Sequence, residues 1–87
     1  MLDLQQEPRG PRFNGRKLWE MRRRAGIHQT ELARTVGVTV TTISSWEVNR
    51  TQPKLDNAVL LCQALGCTID DLLEHDEPAR AATPDRL

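Results

Sequence analysis

Four residues near the middle of the chain, Val40, Thr41, Ser44 and Ser45, stand at i, i+1, i+4 and i+5 and carry only small hydroxyl and methyl groups. Hydroxyls of this kind donate to or accept from purine and pyrimidine edges alike, and Thr and Val methyls pack against a thymine methyl. At 100° per residue, Thr41, Ser44, Ser45 and Val48 share one helical face, with Val40 in the first turn. Ile43, Trp46 and Glu47 share the opposite face. Thr41 and Thr42 are β-branched and poor helix formers, so such a face is not selected for helix stability. No Arg, Asn or Gln stands on it. Bidentate base contacts, worth about 1–3 kcal/mol each, are therefore missing from the helix centre, and modest base discrimination helped by duplex shape is expected. Trp46 reads as core packing rather than as a base-stacking residue.

Catalytic chemistry is not legible. The two histidines, His28 and His75, have no Asp, Ser or Cys arrangement around them, and no Gly-rich phosphate loop is present. Cys62 and Cys67 lack metal-ligand spacing and fall on apolar positions, so they read as buried free thiols. No enzyme activity, metal or cofactor is expected.

The hydroxyl face needs helices to hold it. Leu32, Ala33 and Val36 mark a short helical pattern before it, and Gly37 lies between the two patterns, where a tight turn needs positive φ. A recurring entry device sets the boundaries of the whole chain: an apolar residue, a capping residue, then an apolar residue five positions after the first. Phe13 and Leu18 flank Asn14, Ile27 and Leu32 flank His28, Val38 and Ile43 flank Thr39, and Cys67 and Leu72 flank Thr68. These predict helices over about 15–25, 29–36, 40–48, 55–65 and 69–74. The fourth carries Leu55, Ala58, Leu61, Cys62 and Leu65 on one face. Val59 and Leu60 lie off that stripe.

With 87 residues, one small domain is expected, spanning 13–74. A flexible arm over 1–12 and a disordered tail over 75–87 flank it. Arg9 and Arg12 in the arm have the reach to touch a phosphate or a minor groove, although a solvated tail explains them as well. No apolar run approaches the ~18 residues of a membrane span, and no signal peptide is visible, so a cytoplasmic location is expected. Net charge is +0, which by itself speaks against nucleic acid, but the charges are segregated. Residues 9–54 hold ten cations and three anions, a net +7, whereas 55–87 hold two cations and seven anions, a net −5. A basic half that contains the hydroxyl face fits a duplex-facing surface.

The phrases Gln29-x-Glu31-Leu32-Ala33, Gly37-Val38-Thr39 and Ile43-Ser44-x-Trp46-Glu47 come in one order and spacing. In this the chain resembles the Cro and phage-repressor type of helix-turn-helix protein. The resemblance implies an all-α, compact bundle of five short helices of the lambda-repressor-like kind. It implies base contacts from Val40, Thr41, Ser44 and Ser45, and phosphate contacts from Gln29, Thr39, Arg50, Thr51 and Lys54. Arg22 and Glu47 both fall on inner faces, where a lone charge is costly. The resemblance pairs them as a structural salt bridge. The function implied is sequence-specific binding of double-stranded DNA by a small transcriptional regulator, a repressor acting as a homodimer on a palindromic operator. Two alternatives stay open: an antitoxin that binds a toxin and represses its own operon, or a protein-binding adaptor or coactivator that does not read DNA. Two departures stand out. His28 replaces the usual Thr or Ser cap, and Asn49 replaces the Gly that usually ends the third helix.

Overall fold

The computed structural model describes residues 11–75. The arm and tail expected from sequence lie outside the described residues, except for residues 11, 12 and 75. Helix α1 spans Gly15–Ala25, and the Asn14 side chain accepts the Arg16 N–H at 2.8 Å. Helix α2 spans Gln29–Val36, and helix α3 spans Val40–Glu47. Between them Gly37 takes φ 88°, a left-handed conformation that costs an L side chain energy, and its N–H reaches the Ala33 carbonyl at 2.8 Å. Thr39 Oγ1 accepts the Thr42 N–H at 3.1 Å and opens α3. His28 caps α2 without a side-chain hydrogen bond. Helix α4 spans Leu55–Leu65.

The apolar entry pairs build the core. Leu18, Leu32, Ile43 and Leu72, the inner members of the four pairs, are four of the five largest fully buried side chains, and Leu61 of α4 is the fifth. Phe13, Ile27, Val38 and Cys67, the outer members, are partly buried against that same cluster. Each pair thus fixes where a helix enters and seats it on the centre. Leu55 departs from the expected inner stripe of α4 and is 74% exposed. It is the first residue of the helix, and its Cβ points back toward the N-terminus, beyond the edge of the core. Burial pushes the Cys67 thiol up to about 12 and raises that of Cys62, which keeps both neutral.

The fifth helix expected over 69–74 is absent. A single 3-10 turn, Ile69–Leu72, takes its place, opened by a reciprocal cap between Thr68 and Asp71. The chain then extends as β2, Leu73–Glu74, antiparallel to β1, Arg12–Phe13. Among the described residues the architecture is therefore four α-helices, one 3-10 turn and a two-stranded ribbon. Competition from β1 and α1 explains the difference. The Asn14 N–H takes the Leu72 carbonyl at 2.9 Å, and Lys17 Nζ takes the Leu73 carbonyl at 2.6 Å. Arg12, placed by sequence at the end of the arm, belongs to this ribbon, with Nε 3.3 Å from Glu74 Oε2. His75 Nε2 lies 3.0 Å from Asp70 Oδ1.

The start of α1 meets the end of α3 almost backbone to backbone. A Cβ at Gly15 would stand 2.7 Å from the Glu47 carbonyl carbon and oxygen, and closer still to the Trp46 carbonyl oxygen. Neither helix can yield locally, so Gly15→Ala is expected to destabilise the fold by about 1–3 kcal/mol. Urea denaturation checks this through a lowered midpoint at unchanged slope. The Thr68 backbone and side-chain hydrogen bonds hold the Asp71 carboxyl below its ordinary 3.8. A depressed carboxyl stabilises fully above that ordinary value, and the contribution disappears as pH falls through the folded value. Asp71→Asn is therefore expected to flatten the acid limb of a stability profile below about pH 4 while leaving the change from pH 6 to 8 untouched.

Candidate nucleic-acid interface

The turn Gly37–Val38–Thr39 sets α3 so that its two faces divide sharply. Ile43 is 0% and Trp46 3% exposed, and Glu47 is buried beside them. Opposite them, Val40 and Thr41 are exposed, and Ser44 and Ser45 are half-buried. The four candidate base-contacting residues therefore reach solvent from one element. Val48 continues this face and is 62% exposed.

Beneath this face lies a closed set of charge-assisted hydrogen bonds. Arg22 Nε donates to Glu47 Oε2 at 2.6 Å, and Arg22 Nη2 donates to Glu47 Oε1 at 3.2 Å. The third nitrogen, Nη1, donates to the Ile27 carbonyl at 2.9 Å. Gln29 Nε2 completes the set by donating to Glu47 Oε1 at 2.9 Å. Each nitrogen of the guanidinium thus donates once and both oxygens of the carboxylate accept, as burial favours. Sequence reasoning assigned Gln29 to a phosphate only. Its bond to Glu47 depends on how α2 crosses α3, which no spacing along the chain reveals.

The remaining phosphate candidates are placed differently. Thr39 Oγ1 is 2.9 Å from Thr42 Oγ1 and also accepts the Thr42 N–H, so its hydroxyl is held within the first turn of α3. Arg50, Thr51 and Lys54 are exposed in the loop from α3 to α4. The Arg50 and Thr51 N–H groups both donate to the Ser45 carbonyl, at 2.8 and 3.4 Å, which ties that loop to the end of α3. Asn49 takes φ 60°, and its Oδ1 accepts the Gly15 N–H at 2.8 Å. It ends one helix and caps another.

One arrangement went unread in the sequence. The guanidinium carbons of Arg16 and Arg23 lie 4.9 and 5.1 Å from the centroid of the Trp19 ring. The spacing i−3 and i+4 about Trp19 was the available signal. Beside this stack, a cleft of about 340 Å³ is lined by Arg16, Trp19, Gln29, Ser44, Glu47 and Val48. It brings together one phosphate candidate, one base candidate and the buried pair. Among the described residues no helix is long and apolar enough to cross a membrane, and no group of His, Cys, Asp or Glu could hold a metal ion.

Comparison with known proteins fits this geometry. A helix-turn-helix family model matches residues 20–72. The chain belongs to the helix-turn-helix family. Repressor protein C2 of Salmonella phage P22 is 37% identical over 62 residues, which cover 71% of this chain and 29% of that protein. The chain thus spans under a third of that relative's length. The crystal structure of the P22 c2 repressor with a synthetic operator superposes with a TM-score of 0.67 at 35% identity, covering 72% of this chain and 96% of that one. The restriction-modification controller protein C.AhdI from Aeromonas hydrophila gives 0.63 at 28% identity, over 67% and 88% of the two chains. SinR, a master regulator of biofilm formation, in complex with DNA gives 0.62 at 27% identity, over 67% and 97%. The family match begins at Glu20, so Arg16 and Trp19 precede it.

In this helix-turn-helix protein the buried pair leaves an uncompensated charge when either partner is changed. Removing one partner leaves the other charged and buried, which costs about 3–5 kcal/mol, whereas apolar replacement of both is much milder. Glu47→Leu and Arg22→Met are each expected to be strongly destabilising, and the double variant less so than their sum. A double-mutant cycle by chemical denaturation measures that coupling.

Proposed function

We propose that the chain is a transcriptional regulator that binds double-stranded DNA sequence-specifically, a repressor acting as a homodimer on a palindromic operator. The observation that carries this is the α3 ridge of exposed Val40 and Thr41 and half-buried Ser44 and Ser45, set in a half of the chain with net charge +7. On this reading the ridge enters the major groove and meets base edges. Gln29, Thr39, Arg50, Thr51 and Lys54 hold the flanking phosphates. Gln29 spends one Nε2 hydrogen on Glu47 and keeps the other, with its carbonyl oxygen, for the duplex side. The helix-turn-helix relatives with bound operator or DNA support the same reading.

The dimer rests on α4, where Val59 and Leu60 are adjacent, apolar and each 39% exposed. A twofold pair would space its two recognition helices about 10 bp apart on the duplex. The described residues offer no feature that favours a toxin or an adaptor partner over a duplex.

Selection of bound duplexes from a random pool tests the proposal. A symmetric consensus with two half-sites about one helical turn apart is expected. Arg50→Gln and Lys54→Gln should each weaken binding evenly across sequences and lower the salt slope by about 0.9. Ser45→Ala or Thr41→Ala should instead change which bases are preferred. A chain that retards no duplex at about 50 mM salt would refute the reading.

A further inference from the structure

The geometry points to α1 as a further DNA-facing element, with Arg16 and Trp19 forming a backbone-phosphate seat that the assignments above do not contain. This rests on the duplex-binding reading and deepens it. The 340 Å³ cleft has Gln29 and Ser44, the phosphate and base candidates of α2 and α3, on one side and Arg16 and Trp19 of α1 on the other. A strand lying against the first two therefore also meets the second two.

The cleft is suited to a ligand that only accepts hydrogen bonds. Its walls include the side chains of Arg16, Trp19, Gln29 and Ser44, which carry a guanidinium, an indole N–H, an amide and a hydroxyl. The carboxylate among the lining residues, Glu47, is already bonded by Arg22 and Gln29. Arg16 meets one further anion, Glu20, at 3.4 Å, with the two side chains 70% and 44% exposed. An exposed pair of this kind is weak, so exchanging Glu20 for a phosphate costs little. Stacking on Trp19 restrains the Arg16 head within reach of the cleft, because a guanidinium over an indole is held by the ring quadrupole. Arg23, stacked on the same ring, also lines a second cleft of about 360 Å³ with Arg22, Gly26, Ile27 and His28. The cationic wall thus continues along α1 past the start of α2.

Binding of the 87-residue chain to a mixed-sequence duplex of about 20 bp, long enough for two half-sites, tests the seat. Affinity is measured against salt, and indole emission is followed during titration. Arg16→Gln is expected to lower affinity by about tenfold, the scale of one charge-assisted hydrogen bond, and to reduce the salt slope by about 0.9. Arg24→Gln is the control: Arg24 is exposed on the same helix but acts on Asp71 at the rear, and the slope should hold. The duplex should change the emission of wild type, and Trp19→Phe should abolish that change, since Trp46 is buried. Inorganic phosphate at matched ionic strength should not reproduce it. Thermal midpoints confirm that the variants fold, and Arg16→Gln decides alone if Trp19→Phe does not. An unchanged slope in Arg16→Gln, an equal loss in Arg24→Gln, or an equal emission response to inorganic phosphate would overturn the seat while leaving duplex binding intact. Failure of wild type to bind the duplex at all would sink both readings.

Discussion

The arrangement of the helices depends on a charge pair taken out of water. Arg22 and Glu47 have side chains only 10% and 5% exposed, and they meet at 2.6 Å. An isolated charge at that depth is costly, and an attractive partner repays the cost only with near-ideal geometry and every remaining donor satisfied. That condition is what orders the neighbourhood. The third nitrogen of the guanidinium needs the Ile27 carbonyl, which fixes the link between α1 and α2. The carboxylate accepts from Gln29, which fixes the start of α2 over α3. Two ions and their unmet hydrogen bonds thus orient three helices at once. Desolvation offsets much of the attraction within such a pair, so its net stabilisation is small compared with the cost of breaking it.

A second constraint closes the other side. The α1 start can sit on the α3 end because Gly15 has no side chain, and Asn49 turns a left-handed backbone into a cap for the Gly15 N–H. Asn14 then works in two directions, accepting the Arg16 N–H and donating to Glu74 Oε1 at 2.8 Å. The short ribbon of β1 and β2 is anchored through the same residue. A two-stranded ribbon this small is not stable alone. It persists because Lys17 and Asn14 of the α1 start hold its far strand. Together the buried pair and this seam clamp α3 at its end, and the outward direction of its hydroxyl ridge follows.

What was legible in the sequence was whatever is local. Asn14, Thr39 and Thr68 announced helix starts because a cap acts within three residues, and the staple leucines and isoleucine were found because five-residue spacing is readable along a chain. Gly37 was legible for the same reason. The features that escaped depend on residues far apart. Glu74 lies 62 positions from Arg12, so no pattern near 69–74 distinguishes a short helix from a turn followed by a paired strand. The Gly15 approach needs Glu47, and the second task of Gln29 needs the crossing of α2 and α3. Leu55 satisfied the periodicity of its helix but not its position at the end of one. The Trp19 stack is the exception. Its spacing was local, yet two arginines beside a tryptophan on a basic helix look like ordinary surface.

The chemistry of the ridge and its surroundings divides the work between them. Ser and Thr hydroxyls accept or donate with most bases, so a face built from them discriminates weakly. Phosphates carry no sequence information, but contacts to them fix register and supply most of the electrostatic affinity. On the duplex-binding reading, a face poor in bidentate readers depends for its placement on its flanks. They include Gln29 at the start of α2, the loop bound to the Ser45 carbonyl, and the cationic wall of α1. The acidic 55–87 segment, at −5, offsets most of the basic half in total charge, and Glu74 reaches into that half to meet Arg12 and Asn14. Net neutrality thereby coexists with a strongly basic stretch of sequence. This charge asymmetry along the chain, on the duplex-binding reading, orients the encounter. Selectivity, on the same duplex-binding reading, comes from how well a particular duplex conforms to the frame that Arg22, Glu47 and Gln29 tie together.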